Sequence, residues 1–502
     1  MSSQSFQETL SEERLKIDGD IEVFFERVID DTEEFLNVEK HVDGDELLKT
    51  GKDGEYLGEN FTEFFQDLEE YIMRGGKRFR PAATLWSYRA FGGELSRKEL
   101  SPVYLTTELY HNSTLIHDDI MDQDDMRRGG DTWHVKQRNE LEGRSAEEPV
   151  RGEGWTVDSL PRIEMVSIGE AIDAGNVLED LARKTVMETP LPREKLYNVI
   201  EILTDTDMRV NSGQNSDLEM ELLSIQEIAR HEIETSPEMN DPGKPRVEGL
   251  YEDLAGDFDS WTDAYLNMID RKTGDLYEAC VRIGAELADA TEEQENRMVA
   301  AMRRMSRAFQ IQDDYLELEQ SAEETGKEPT DVINGKLTLA SISAYENMNS
   351  ALQILDEAEE AARRHGVYQD NVEGTVGNPG TGLSELFERG GQPLEHLLEQ
   401  VDVERYVEGV EDDITGSSWE KLLRGRERIR RDREEFLELY GNVDDRSELE
   451  TVRDIVLDYS TAKEEARNQV REAKRILEEA ELREEYADRF LGFADYMLER
   501  SH

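Results

Sequence analysis

LIHDDIMDQDDMRRGG occupies residues 115–130. Asp118 and Asp122 are four residues apart, so a helix places both on one face and offsets Asp119 by about a third of a turn. The preceding LTTELYHNSTLIH has the apolar spacing of a buried helix, and three carboxylates at the end of such a helix are costly unless a cation neutralises them. Taken alone, a DDxxD run in an acidic chain is more often a solvated helix end. A second cluster, FQIQDDYLELEQ at 309–320, repeats the geometry, with Asp313 and Glu317 four apart and Asp314 beside them. Two such faces turned toward each other across a helical cavity can hold several Mg2+ ions. Each ion takes one or two carboxylates and fills its octahedron with water and phosphate oxygens, which makes a diphosphate the natural substrate.

Cations follow both clusters. Arg127 and Arg128 come directly after the first, and Lys327 and Lys336 flank Asp331 in GKEPTDVINGKLTL after the second. Further upstream, GGKRFRP at 75–81 sets Lys77 and Arg80 at the mouth of a helix whose first turn accepts Pro81, a position that favours anions. For any one of these cations, pairing with the abundant acids is the commoner role, and His111 by itself reads as a core histidine.

The composition sets outer limits. The 502 residues carry a net charge of −59 with 37% hydrophobic content, enough to bury a core yet strongly self-repelling at low ionic strength. The 58 basic residues divide into 42 Arg and 16 Lys, so the scarce cations are mostly of the weakly hydrated kind suited to anion pairing. This is the balance of a salt-adapted protein, and it disfavours a nucleic-acid partner. Cys280 is the single cysteine, which excludes an intrachain disulfide and a multi-thiolate zinc site and fits a reducing compartment. No apolar run approaches the roughly 20 residues that span a bilayer, and the first residues lack an apolar signal core. A cytoplasmic protein without an integral membrane segment is expected.

Helical periodicity dominates, so the chain reads as nearly all α. Packed helical core is expected at about 55–135, 165–222, 262–356 and 462–502, making a single domain over 1–502. Three interruptions, about 137–163, 224–258 and 364–460, read as surface insertions, the last containing a charged helix in SSWEKLLRGRERIRRDREEFLELY. No fixed-period repeat points to a solenoid.

GGKRFRP, HNSTLIHDDIMDQDDMRRG, GQNSDLEME with Gln214 and Asp217, RKTGDL, and FQIQDDYLEL followed by GK, D and GK together resemble the trans-prenyl diphosphate synthase family, in that family's order. The resemblance covers about 55–355 and the last helix, ADRFLGFADYMLER. It implies an antiparallel helical bundle around a central cavity, a homodimer, and Mg2+ bound by Asp118 and Asp122 and by Asp313, Asp314 and Glu317. By position, Lys77, Arg80, His111 and Arg128 would bind isopentenyl diphosphate. Arg127, Lys272, Thr273, Gln310, Lys327 and Lys336 would serve the allylic diphosphate, and Asp118, Asp119, Asp122, Asp313, Asp314 and Lys272 would form the catalytic set. The implied reaction ionises a carbon–oxygen bond to diphosphate, so charge growing on the leaving group must be compensated in a dry cavity. Glu317 departs from the family pattern by replacing an aspartate. Asp131, Trp133 and Asn176 stand where Pro, a small aliphatic residue and Asp are common.

Chain length depends on bulk one and two turns before the first motif. Ser113 and Thr114 are small and Tyr110 is large, which suggests an intermediate product; geranylgeranyl diphosphate (C20) is expected, with C25 or longer as the competitor. Two other readings are a class I terpene cyclase, disfavoured by Lys77, Arg80 and His111, and a non-catalytic regulatory subunit, disfavoured by the intact acidic motifs.

Overall fold

A computed structural model describes residues 3–36, 53–147, 160–226, 228–229, 260–319, 330–364 and 418–498. Among them, regular structure is helical apart from one short antiparallel ladder. The helices are α1 Ser3–Leu36, α2 Asp53–Met73, α3 Phe79–Ala90, α4 Arg97–Met121, α5 Trp133–Glu147, α6 Leu160–Met187, α7 Arg193–Glu221, α8 Trp261–Ile269, α9 Asp275–Leu287 and α10 Glu292–Glu319. There follow α11 Thr330–Asn334, α12 Leu339–Arg364, α13 Ser418–Leu439, α14 Arg446–Tyr459, α15 Ala462–Glu478 and α16 Glu484–Leu498. One π-helical turn, Asp270–Gly274, joins α8 to α9.

The chain divides into two compact units. The first comprises Met1–Asn211, Thr273–Ser306 and Val470–His502; the second comprises Ser212–Lys272 and Arg307–Gln469. In the first unit, α4 packs along α6, α3 along α9, and α16 against α1 and α3. Small polar side chains stitch these contacts: Thr106 donates to the Ala182 carbonyl at 2.8 Å, and Ser87 to the Val281 carbonyl at 2.9 Å. An aromatic cluster closes the bundle, with Phe79 and Phe493 ring centres 4.9 Å apart and Phe6 edge-on to Trp86 at 6.0 Å. Rings of this size each contribute roughly 1.5–3 kcal/mol through burial.

α1 lies outside the stretches that the sequence marked as core. It nevertheless buries Phe6, Leu10, Ile17, Ile21 and Phe25, and its acids reach neighbouring elements: Asp18 pairs with Arg78, and Glu13 with Arg97.

In the second unit, α12 packs against α13 and α14, α8 against α12, and α11 against α14. Hydrogen bonds tie these helices together. Tyr459 donates to Asp432 at 2.8 Å, and Arg433 to the Asn349 side chain at 2.5 Å. Of the three interruptions, the first begins within α5, and most of the second and the front of the third lie outside the described residues. The remainder of the third forms α13 and α14.

Candidate active site

The first acidic segment is delivered by α4. Ser96 caps its start: the hydroxyl accepts the Glu99 N–H while the Glu99 carboxylate takes the Ser96 N–H, a reciprocal capping box. The helix runs out at Asp122, whose N–H bonds the Asp118 carbonyl at 2.8 Å. Asp118 is half-buried and Asp122 exposed, whereas Asp119 turns inward and is fully buried. Tyr71 Oη donates to Asp119 Oδ2 at 2.9 Å, and Arg127 pairs with Oδ1. Burial holds the Asp119 carboxyl above the ordinary range, with Arg127 and Tyr71 opposing it. The protein itself therefore compensates Asp119, and what that carboxylate does in this structure is anchor Arg127.

Arg127 and Arg128 sit in a hairpin in which β1, Met126–Arg127, pairs with β2, Gly130–Asp131. Its two turn residues, Arg128 and Gly129, both take positive φ (52° and 77°), the pattern of a tight hairpin turn. From there Arg128 Nη1 reaches the Gly75 carbonyl at 3.0 Å, fastening the hairpin to the GGKR loop.

That loop is held from below by Arg78. Its side chain is fully covered and donates to Asp18 at 2.7 Å, to Glu108 at 2.7 Å and to the Ile72 carbonyl at 2.8 Å. Lys77 lies 5.1 Å from the Tyr496 ring centre and Arg80 4.4 Å from that of Tyr277. Arg80 Nε is buried without a hydrogen-bond partner, a donor that an incoming anion would satisfy. Burial first, then Arg78 and Arg127, hold the Arg128 guanidinium below its ordinary value against the pull of Glu108. Burial and then Arg80, Arg128, Arg127 and Arg78 likewise keep the His111 imidazole well below the usual histidine range. In a chain of charge −59, this is a local gathering of arginines.

In the second unit, α10 carries the other acidic set. Asp313 is exposed; Asp314 is half-buried and accepts from Tyr265 at 2.5 Å and from Gln310 at 2.9 Å. Glu317 accepts from the Thr330 hydroxyl at 2.8 Å and the Asp331 N–H at 3.1 Å, which brings Asp331 beside the set. Burial raises both Asp314 and Asp331; Asp331 is further raised by Asp314 and Glu317, with Lys336 opposing.

Lys272 Nζ lies 2.5 Å from Asp217, and Lys336 Nζ lies 4.0 Å from Asp217 and from Glu221. Gly213 lets the Lys272 backbone approach, because a Cβ there would stand 2.3 Å from the Lys272 main-chain nitrogen. Lys272 belongs to the π-helical turn, whose Asp270 is gripped by Arg307 through bonds of 2.7 and 2.6 Å. Single π turns inside α-helices are frequent at functional sites.

Of the other residues singled out from the sequence, Thr273 lies in the π turn and Lys327 lies outside the described residues. Tyr110 is buried with its hydroxyl on Asp207 at 2.8 Å, Ser113 donates to Glu179 at 3.2 Å, and Thr114 bonds back to the His111 carbonyl at 2.8 Å. Sequence reasoning gave no role to Arg78, Tyr71, Tyr265 or Asp217. Arg78 stood inside a quoted motif, and its position between two ligand-like cations was a usable signal; the tyrosines gave none.

The donor chemistry suits Mg2+. Both acidic sets end helices with no basic residue in the last turn, where the helix dipole is already negative, so carboxylates there gain from a cation. Among the described residues no three His, Cys, Asp or Glu side chains form a ready-made cage, and Mg2+ bound through phosphate oxygens needs none.

A family model described as Polyprenyl synthetase matches residues 62–370. The chain belongs to the polyprenyl synthetase family. As a member it is an isoprenyl diphosphate synthase, a prenyltransferase of a family that uses Mg2+. It is 31% identical over 306 residues to a short chain isoprenyl diphosphate synthase of Methanocaldococcus jannaschii, covering 61% of this chain and 71% of that one. It is 31% identical over 279 residues to a geranylfarnesyl diphosphate synthase of Aeropyrum pernix, covering 55% and 68%. Against a geranylgeranyl diphosphate synthase of Methanosarcina mazei the identity is 28% over 319 residues, covering 62% and 75%. The fold is that of a geranylgeranyl pyrophosphate synthetase structure from Pyrococcus horikoshii, with a TM-score of 0.57, 20% identity and 99% of each chain covered. Among the described residues no helix is long and apolar enough to cross a membrane.

Proposed function

We propose that this polyprenyl synthetase condenses an allylic diphosphate with isopentenyl diphosphate to give geranylgeranyl diphosphate. The observation that carries the reading is the gathering of Arg80, Arg128, Arg127 and Arg78 around His111, whose helix α4 also bears Asp118 and ends at Asp122, in a chain otherwise overwhelmingly acidic. Lys77, Arg80 and Arg128 take the isopentenyl diphosphate. Arg80 supplies a buried donor without a partner, and a neutral His111 adds a hydrogen bond without further charge.

Asp118 and Asp122, and Asp313, Asp314 and Glu317, would hold Mg2+, which when bound supplies positive charge to diphosphate oxygens. Arg127, Lys272, Thr273, Gln310, Lys327 and Lys336 serve the allylic diphosphate. Lys272 and Lys336 compensate the charge that grows as its carbon–oxygen bond breaks. The isopentenyl double bond attacks the allylic cation, a carbon–carbon bond forms, and the departed diphosphate accepts the proton lost from the product. Asp119 acts through Arg127, which it orients.

Tyr110, fixed by Asp207, forms the floor that stops growth, with the small Ser113 and Thr114 above it. Similarity to a geranylfarnesyl diphosphate synthase keeps a C25 product as the second reading. The protein works as a homodimer in a salt-rich cytoplasm, in one prenyl synthase domain with its three insertions. In support of the dimer, α6 exposes Met165, Val166, Ile172 and Met187, and α7 exposes Tyr197 and Met208. These two helices are joined by Arg183 on Asp207 at 2.7 Å, and a second copy packed on them would cover these side chains. The test is to incubate the purified chain with isopentenyl diphosphate, each allylic primer and Mg2+ at high KCl. An elongated diphosphate supports the reading; a cyclic hydrocarbon or no product contradicts it.

A further inference from the structure

The loop that carries Lys336 is braced from a part of the chain beyond the 62–370 that match the family. Just after α13, Tyr440 Oη donates to the Lys336 carbonyl at 2.6 Å, and the Gly441 N–H donates to the Val332 carbonyl at 3.0 Å. Gln226 in turn donates to the Tyr440 carbonyl at 2.7 Å, so the brace is itself held in place. Gly335 and Gly441 both take positive φ (70° and 77°), and a Cβ on either would stand 3.0 Å from the other's Cα. The two backbones meet at a distance that only glycine allows on both sides. Tyr440 is buried, and the carboxylates of Asp331, Asp314 and Glu317 add to burial in pushing its hydroxyl up, which places it in the field of the second acidic set.

We propose that Tyr440 and Gly441 are positioning residues for substrate binding: they fix the 331–338 turn so that the Lys336 ammonium meets the allylic diphosphate. The inference rests on the reading of Lys336 as a ligand of that diphosphate. Lysine is a point charge on a flexible four-carbon stem, so where its main chain is anchored decides what its ammonium can reach. Productive binding is sensitive to shifts of about 1 Å in such groups. A brace that served only to pack α13 would need neither the bond to the Lys336 carbonyl nor the paired glycines under it.

The test uses the full chain and steady-state kinetics in which each substrate is varied in turn. Tyr440→Phe keeps the ring and removes one hydrogen bond. It is expected to raise KM for the allylic diphosphate about fivefold, the scale of a single net hydrogen bond, and to leave KM for isopentenyl diphosphate unchanged. Gly441→Ala should do the same more strongly. In a Lys336→Ala background, Tyr440→Phe should have no further effect on the allylic KM, because its action runs through Lys336. An unchanged allylic KM in both single variants, an equal rise in both KM values, additive effects in the double variant, or loss of the fold in Tyr440→Phe would each overturn the proposal. If Lys336→Ala alone leaves the allylic KM untouched while the wild type elongates its primer, the assignment of Lys336 is wrong and this proposal goes with it. A wild type that elongates nothing indicts the proposed function instead.

Discussion

Tyr110 on α4 donates its buried hydroxyl to Asp207 on α7 at 2.8 Å. Asp207 also accepts from Arg183 at 2.7 Å, Arg183 from the same nitrogen reaches Glu179 at 3.2 Å, and Glu179 accepts from Ser113 at 3.2 Å. The ring of bonds thus returns to α4 one turn along, and it immobilises the side chain assigned to the floor. Tyr110→Ala is expected to lengthen the product by at least one five-carbon unit, read by chromatography of the dephosphorylated alcohols. Asp207→Asn should lengthen it more modestly by loosening the same ring. An unchanged product profile in Tyr110→Ala removes the floor assignment.

On the proposed function, Asp118→Ala takes away a carboxylate whose bound Mg2+ would matter chiefly when charge develops on the leaving diphosphate. The expected loss is at least about 3 kcal/mol in kcat, on the order of a hundredfold. Circular dichroism should show the helical content retained, since Asp118 is only half-buried. Near-native turnover would remove Asp118 from the reaction.

Arg78 carries a structural load of a different kind, because its covered guanidinium satisfies Asp18, Glu108 and the Ile72 carbonyl together. Removing one partner of a buried ion pair leaves the others uncompensated. Arg78→Ala should therefore cost roughly 3–5 kcal/mol in denaturant unfolding, and Arg78→Lys should recover little of it for want of the planar fork. A loss below about 1 kcal/mol would mean that the three contacts do not hold the GGKR loop.

His111 is kept neutral in the folded chain by burial and its arginine neighbours, below the ordinary value of 6.5. The unfolded chain takes up a proton as pH falls through 6.5, and the folded chain does not until lower pH. Its contribution is therefore fully present above 6.5 and is lost as pH falls toward the folded-state value. The difference in unfolding free energy between wild type and His111→Asn should shrink between about pH 7 and 5 at fixed high salt. Because the two proteins share every carboxylate, a pH-independent difference would contradict the assignment.

At a net charge of −59, cohesion depends on screening. The Debye length falls from about 10 Å at 0.1 M salt to about 3 Å at 1 M, so the thermal midpoint should climb steeply over that range and the fold should loosen below it. A midpoint indifferent to KCl would show that the acidic surface is not a salt adaptation.

The all-α architecture was legible because helical periodicity pervades the chain, and the motifs were legible because ligand-type residues stood in a recognisable order. α1 was equally readable in principle, since Phe6, Leu10, Ile17, Ile21 and Phe25 recur at helical spacing, but the expected core began only at about residue 55 and left out the acids between them. Those acids are what pair with Arg78 and Arg97. The inward turn of Asp119 was not legible. It depends on Tyr71, which lies 48 residues away in sequence, and on the arrival of Arg127 through a hairpin. The same holds for Tyr440, whose bond to the Lys336 carbonyl spans 104 residues and runs to a main-chain atom that no side-chain pattern can encode.

One assay reaches furthest into the account: radiolabelled isopentenyl diphosphate and farnesyl diphosphate with the purified chain in molar KCl, with and without Mg2+. A C20 diphosphate that forms only with Mg2+ and disappears in Asp118→Ala is the predicted result. Failure to extend farnesyl, geranyl or dimethylallyl diphosphate, by a chain that is folded and salt-stabilised, would contradict the prenyl transfer on which the site assignments rest.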